Sequence, residues 1–250
     1  MRNVCAAIDA VFFDFGGVIL ASPFEAFAAY EQRMGLPRNF IRTVNATNPD
    51  HNAWALLERN AIGVEQFVDE FEREAIALGH RVEGRAVLEC LHGDLRPEMV
   101  EVVRRCSDRW ATALLTNNIA SMATSGVSPA SSDGESAAAQ GPRTDYAEVI
   151  SYFDVIVESS VVGVRKPEPR FYEIACELAS VRPERVVFLD DLGVNLKPAR
   201  EMGMRTIKVA DVDTAIAELE AILETSLREQ PAPGRSRSGS GSEHAPIRRD

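Results

Sequence analysis

A chain of 250 residues, 45% hydrophobic and 26% charged, is long enough to bury a full domain core and to carry a second, smaller unit. Its 27 basic and 38 acidic residues leave a net charge of −11, which argues against unaided binding to nucleic acid or an anionic membrane, since that needs a basic face. A small anionic substrate stays open, because a few local cations and a metal outweigh a distant negative surface.

The four cysteines, Cys5, Cys90, Cys106 and Cys176, are far apart and form no C-x-x-C pair. Free thiols in a reducing cytoplasm are therefore expected, not a zinc or redox site. At the start, Asp9 and Asp14 interrupt the apolar run, and no stretch is long enough to span a membrane. The expectation is a cytoplasmic protein without signal peptide or membrane span.

In chain order, the first element is the run Val11–Phe15, a buried strand closed by Gly16-Gly17. From Ser22 to Leu95 the apolar spacing is helical: Phe24, Phe27 and Ala28, then Trp54, Leu56 and Leu57, then Phe67, Val68, Phe71 and Ile76, with Gly79 as a helix stop. Further strands are predicted at 111–116, 153–157, 186–189 and 206–209, separated by helices at 98–106, 170–179, 195–202 and 213–227. This alternation predicts an α/β fold, a three-layer, doubly wound parallel sheet with residues 10–21 and 96–228 as core and a helical insertion at 22–95. Residues 121–144 are rich in Ser, Ala and Gly and predict a flexible insertion; the Pro/Gly/Ser/Arg tail at 229–250 predicts disorder.

Ligands of such sheets bind beyond the carboxyl ends of the strands. Polar residues stand at four of those ends: Asp14, Thr116-Asn117-Asn118, Glu158-Ser159-Ser160 and Asp190-Asp191. Any one has an ordinary rival reading as a turn or a helix cap; their joint occurrence at strand ends favours a site. His51, His80 and His92 lie in the insertion and are expected to be surface or core residues.

Asp14-Phe-Gly-Gly-Val, Leu115-Thr-Asn, Gly163-Val-Arg-Lys-Pro and Leu189-Asp-Asp occur in the order and spacing of the four motifs of the haloacid dehalogenase-like (HAD) hydrolases, which this chain resembles over about 10–209. The stretch 157–205 is especially similar to the phosphatase-like branch at the N-terminus of soluble epoxide hydrolases and of some acyl-CoA dehydrogenase fusions. The resemblance implies a Mg²⁺-dependent phosphatase for a small phosphorylated metabolite, with the helical insertion as a cap over the site. Asp14 is then the nucleophile that forms an aspartyl-phosphate. Mg²⁺ is held by Asp14, the Gly16 carbonyl and Asp191, with Asp190 and Asn195 supporting that site. Thr116 and Asn117 bind the phosphoryl group or substrate, and Lys166 supplies positive charge on a loop fixed by Pro167 and Pro169. No nucleic-acid or membrane partner is implied, and the oligomeric state is open.

One residue departs from the pattern. Most HAD phosphatases carry an acid/base aspartate two residues after the nucleophile, where this chain has Gly16. General acid–base catalysis is worth about 10²–10⁴-fold, so its loss points to substrates with good leaving groups, or to a replacement from the insertion, for which His51, Glu58 and His92 are the candidates. Two other readings stay open: a metal-independent 2-haloacid dehalogenase, and a weakly catalytic phosphometabolite-binding protein.

Overall fold

A computed structural model describes residues 7–118 and 146–228; the predicted insertion at 121–144, the tail at 229–250 and Cys5 fall outside the described residues. Strand β1 (Ala10–Phe13) is followed by five helices: α1 (Pro23–Met34), α2 (Phe40–Ala46), α3 (Ala53–Glu58), α4 (Val64–Ala77) and α5 (Gly84–Glu89). Then come α6 (Pro97–Ser107), β2 (Ala111–Thr116), α7 (Tyr146–Ile150), β3 (Val155–Glu158), α8 (Ser159–Val162), α9 (Pro169–Ala179), β4 (Val186–Asp190), α10 (Gly193–Glu201), β5 (Arg205–Lys208) and α11 (Val212–Leu223).

The strands form one parallel sheet in the order β3-β2-β1-β4-β5. β1 and β4 are buried along their whole length, which is why they read as unbroken apolar runs: a parallel sheet covered on both faces has no polar side. Val11, Phe13, Leu114, Val187 and Leu189 pack towards α6 and α11. Ala10, Phe12, Ala113, Leu115 and Phe188 pack towards α9 and α10. The three-layer α/β architecture follows from this alternation.

Boundaries moved where packing overrode the local pattern. The predicted first strand ends at Phe13, and Phe15–Ile19 closes into a tight π-type turn. Phe153 begins no strand; its ring meets Phe13 edge-on at 6.1 Å, and β3 starts two residues later. The last helix stops at Leu223 because Glu224 adopts φ 51°.

Helices α1–α5 enclose their own apolar cluster, with Phe27, Tyr30, Phe40, Ile41, Phe67, Phe71 and Val87 buried together. Glu31 on α1 caps α2, its carboxylate accepting from the amides of Asn39 (2.7 Å) and Ile41 (2.9 Å). This unit joins the sheet through two closely paired connectors: Leu20 bridges Leu95 antiparallel, and the Arg96 amide donates to the Ile19 carbonyl at 2.8 Å. Among the described residues no helix is long and apolar enough to cross a membrane.

Candidate active site

The sheet order sets β1 between β2 and β4, so their carboxyl ends bring Asp14, Thr116 and Asp190 to one edge. Phe13 pairs with Leu189, and the Asp14 amide donates to the Leu189 carbonyl at 2.8 Å, which sets Asp14 beside Asp190. Asp14 also caps the turn behind it, accepting the Phe15 amide at 2.7 Å. In that turn Gly17 has φ +80°, and a Cβ there would overlap the Asp191 carboxylate. The Arg96 guanidinium donates to the Gly17 carbonyl at 2.8 Å and holds the turn in place. Gly16 is unlike its neighbour: φ is −70° and a Cβ would meet nothing within 4 Å.

Lys166 enters from the loop between α8 and α9 and is 1% exposed. Its ammonium lies 2.7 Å from Asp14 Oδ1 and 2.8 Å from Asp190 Oδ2. Asp190 is fully engaged by the protein: it also accepts the Leu192 amide at 2.8 Å and the Asn195 side-chain amide at 3.0 and 3.1 Å. Asp191, by contrast, has no cationic side chain within ion-pair distance among the described residues. Asn117 and Lys166 are tied reciprocally: the Lys166 amide donates to Asn117 Oδ1 (2.8 Å), and Asn117 Nδ2 donates to the Lys166 carbonyl (3.0 Å). The Lys166–Pro167 peptide is cis.

Burial, then the neighbouring Asp190 and Asp191, outweigh the pull of Lys166 and raise the Asp14 carboxyl to about 8. Burial and Asp190 likewise push Asp191 up to about 6. For Lys166 burial alone would lower the pKa, but the charges of Asp14 and Asp190 outweigh it and the net shift is upward. Three carboxyl groups face one ammonium here, so full ionisation would leave a surplus of two negative charges.

That imbalance suits a divalent cation. Oxygen atoms of Asp14, Asp190 and Asp191 lie within 4.8 Å of one another, and the side-chain-free backbone at Gly17 lets Asp191 close over the turn. All these donors are hard oxygens, as a cation such as Mg²⁺ prefers. The residues present therefore fit such an ion.

The sequence-predicted residues Asp14, Lys166, Asp190, Asp191, Asn117 and Asn195 are thus linked directly, with Thr116 buried at the end of β2 and Gly16 in the turn beside them. Other polar ends serve structure. Asn118 ties together the β2 and β3 termini, donating to Glu158 (2.7 Å) and accepting from the Ser160 hydroxyl (2.8 Å). Of the three insertion residues named as replacement acids, His51 and His92 are exposed, whereas Glu58 is buried. His80 is exposed and packs its ring 4.9 Å from that of Phe40.

Glu58 is drawn to the site by a partner the sequence reading did not single out. Arg165 Nε lies 2.6 Å from Glu58 Oε2, and Asn117 Nδ2 donates to the same oxygen at 3.3 Å. The Trp54 indole donates to Oε1 at 2.8 Å. Beside this, Arg59 pairs with Glu168 at 2.7 Å. Only the position of Arg165 immediately before Lys166 hinted at such a role.

A haloacid dehalogenase-like hydrolase family model matches residues 8–203. The chain is 29% identical over 239 residues to bifunctional epoxide hydrolase 2 of Sus scrofa, covering 90% of this chain and 40% of that protein. It is 31% identical over 220 residues to acyl-CoA dehydrogenase family member 10 of Mus musculus, covering 86% of this chain and 19% of that one. It thus spans less than half the length of these relatives. Two solved structures share the fold at low identity. One is a HAD family enzyme from Bacteroides thetaiotaomicron in complex with magnesium and inorganic phosphate (TM-score 0.53, 18% identity, 81% of this chain and 94% of that one). The other is the L-2-haloacid dehalogenase of Xanthobacter autotrophicus with chloropropionic acid covalently bound (TM-score 0.54, 16% identity, 86% and 82%). With carboxylates gathered at the carboxyl edge of the sheet, a buried lysine and a matching family model, the chain belongs to the haloacid dehalogenase-like hydrolases.

Proposed function

We propose that this protein is a Mg²⁺-dependent phosphatase acting on a small phosphorylated metabolite, with Asp14 as nucleophile. The observation that carries the reading is the trio of buried Asp14, buried Asp190 and half-buried Asp191, the first two paired with the Lys166 ammonium. A carboxylate attacking phosphorus splits hydrolysis into two easier steps through an aspartyl-phosphate. Mg²⁺, when bound by Asp14, Asp191 and the Gly16 carbonyl, neutralises phosphate charge and aligns the group.

The chain's own residues do the rest. Lys166 draws Asp14 towards its charged form, orients it and offers positive charge to the phosphoryl oxygens as negative charge builds. Asp190 accepts from Lys166 and is itself held by the Asn195 amide, so the ammonium cannot swing away. Thr116 and Asn117 bind the phosphoryl group. The helical unit of 22–95 serves as the cap, excluding water and selecting the substrate. With Gly16 in the acid/base position, leaving groups that need little protonation, such as those of acyl phosphates or sugar 1-phosphates, are turned over fastest.

The test is a panel of phosphate esters and anhydrides assayed with and without Mg²⁺, with Asp14→Asn as control. Mg²⁺-dependent turnover that disappears in Asp14→Asn, and that falls steeply as leaving-group pKa rises, is the expected result. Undiminished activity in Asp14→Asn removes the nucleophile, and a flat leaving-group dependence removes the substrate class. The dehalogenase reading draws on the same absence of a second aspartate. It becomes the better one if 2-haloacids are turned over in EDTA.

A further inference from the structure

Glu58 is 7% exposed, yet it is a carboxylate at the end of α3, on the insertion side of the junction. Its partners come from three separate segments: Trp54 from its own helix, Asn117 from the end of β2, and Arg165 from the loop before α9. Asn117 and Arg165 are the two neighbours of Lys166 in this network, since Asn117 brackets the Lys166 peptide through both its amide and its carbonyl. Burial raises the Glu58 carboxyl, while Arg165, Trp54, Lys166 and Arg59 oppose that shift. A charge buried at such a cost persists only when several partners hold it in one geometry.

We infer that Glu58 is a positioning residue through which docking of the cap sets Asn117 and the Lys166 loop, so that cap closure and assembly of the phosphoryl-binding groups are one event. This rests on the proposed roles of Asn117 and Lys166. A surface ion pair of the helical unit supplies an internal control: Arg85 on α5 pairs with Glu65 on α4, both exposed and neither bonded to Glu58, Asn117 or Lys166.

The experiment compares wild type with Glu58→Ala, Glu58→Gln and Arg85→Ala by two measurements. Amide hydrogen exchange at Lys166 is followed in the protein without added ligand, and steady-state kinetics are measured with 4-nitrophenyl phosphate and Mg²⁺. Glu58→Ala is expected to speed exchange at Lys166 about 10-fold and to lower kcat about 10- to 100-fold. Glu58→Gln, which keeps an oxygen acceptor, falls between it and wild type in both. Arg85→Ala stays within about 3-fold of wild type in both. Unchanged exchange at Lys166 in Glu58→Ala, or an equal change in Arg85→Ala, overturns the inference. So does a Glu58→Gln variant that restores slow exchange but not kcat, since Glu58 would then be moving a proton. If wild type turns over no phosphate ester, the phosphatase reading fails, and the exchange measurement still decides the positioning role.

Discussion

Gly16 and Gly17 are neighbours under opposite constraints. At Gly17 the backbone is left-handed and the Asp191 carboxylate fills the space of a side chain, so Gly17→Ala meets both strain and overlap. It is expected to cost about 1–3 kcal/mol in urea unfolding and to weaken Mg²⁺ binding measured by calorimetry. At Gly16 the backbone is one any residue adopts, and space is open around a Cβ. The lack of a side chain at position 16 is therefore not a demand of the turn. Gly16→Asp is expected to fold and to raise turnover of alkyl phosphates by up to about 10²–10⁴-fold while changing acyl phosphates little. An equal gain for both substrate types would show that Gly16 is not the missing acid.

At the scale of elements, α1–α5 depend on a cluster separate from the sheet's two faces. Phe71 on α4 lies inside it, stacked 5.3 Å from Phe67. Phe71→Ala is expected to cost about 3–5 kcal/mol and to produce an early transition in scanning calorimetry, with the sheet unfolding later as in wild type. A single shifted transition would mean that the two units unfold together. On α6, Arg104 grips Glu101 with two hydrogen bonds of 2.8 and 2.9 Å, and Arg105 adds a third. The Arg104 hydrogen bond, with help from Arg105, holds the Glu101 carboxyl down at about 2. A depressed carboxylate stabilises fully above its unfolded pKa and loses that contribution as pH falls through the folded one. Glu101→Gln is expected to cost about 0.5–1 kcal/mol at neutral pH, after allowing for solvent screening, and nothing near pH 2. Urea midpoints at the two pH values check this.

For the whole molecule, the buried surplus of carboxylate over ammonium links metal to stability. An ion that binds only the folded state stabilises by about 2.7 kcal/mol at 100 times its Kd. Thermal melts are expected to rise from EDTA to Mg²⁺ in wild type, and the rise should shrink in Asp191→Asn. An equal rise in that variant would move the ion away from Asp191.

The sequence alone determined the α/β sheet, because strands buried on both faces must be apolar throughout, and it marked the strand ends as a candidate site. Of the polar residues there, Asp14, Thr116 and Asp190 stand at one edge, while Asn118 bonds to Glu158 and Ser160. Its helix-compatible spacings between Phe24 and Ile76 fall on helices α1, α3 and α4. It misjudged where β1 and β3 begin and end, since Phe15 and Phe153 look like strand residues but are spent on a turn and on packing against Phe13. Only the tertiary structure decided which candidate in the insertion meets the catalytic edge. Glu58 lies 59 residues from Asn117, and no local pattern encodes a contact between segments so far apart. The physical reason is the same in each case: periodicity records what a segment buries, whereas partners across the chain are chosen by how the buried faces finally stack.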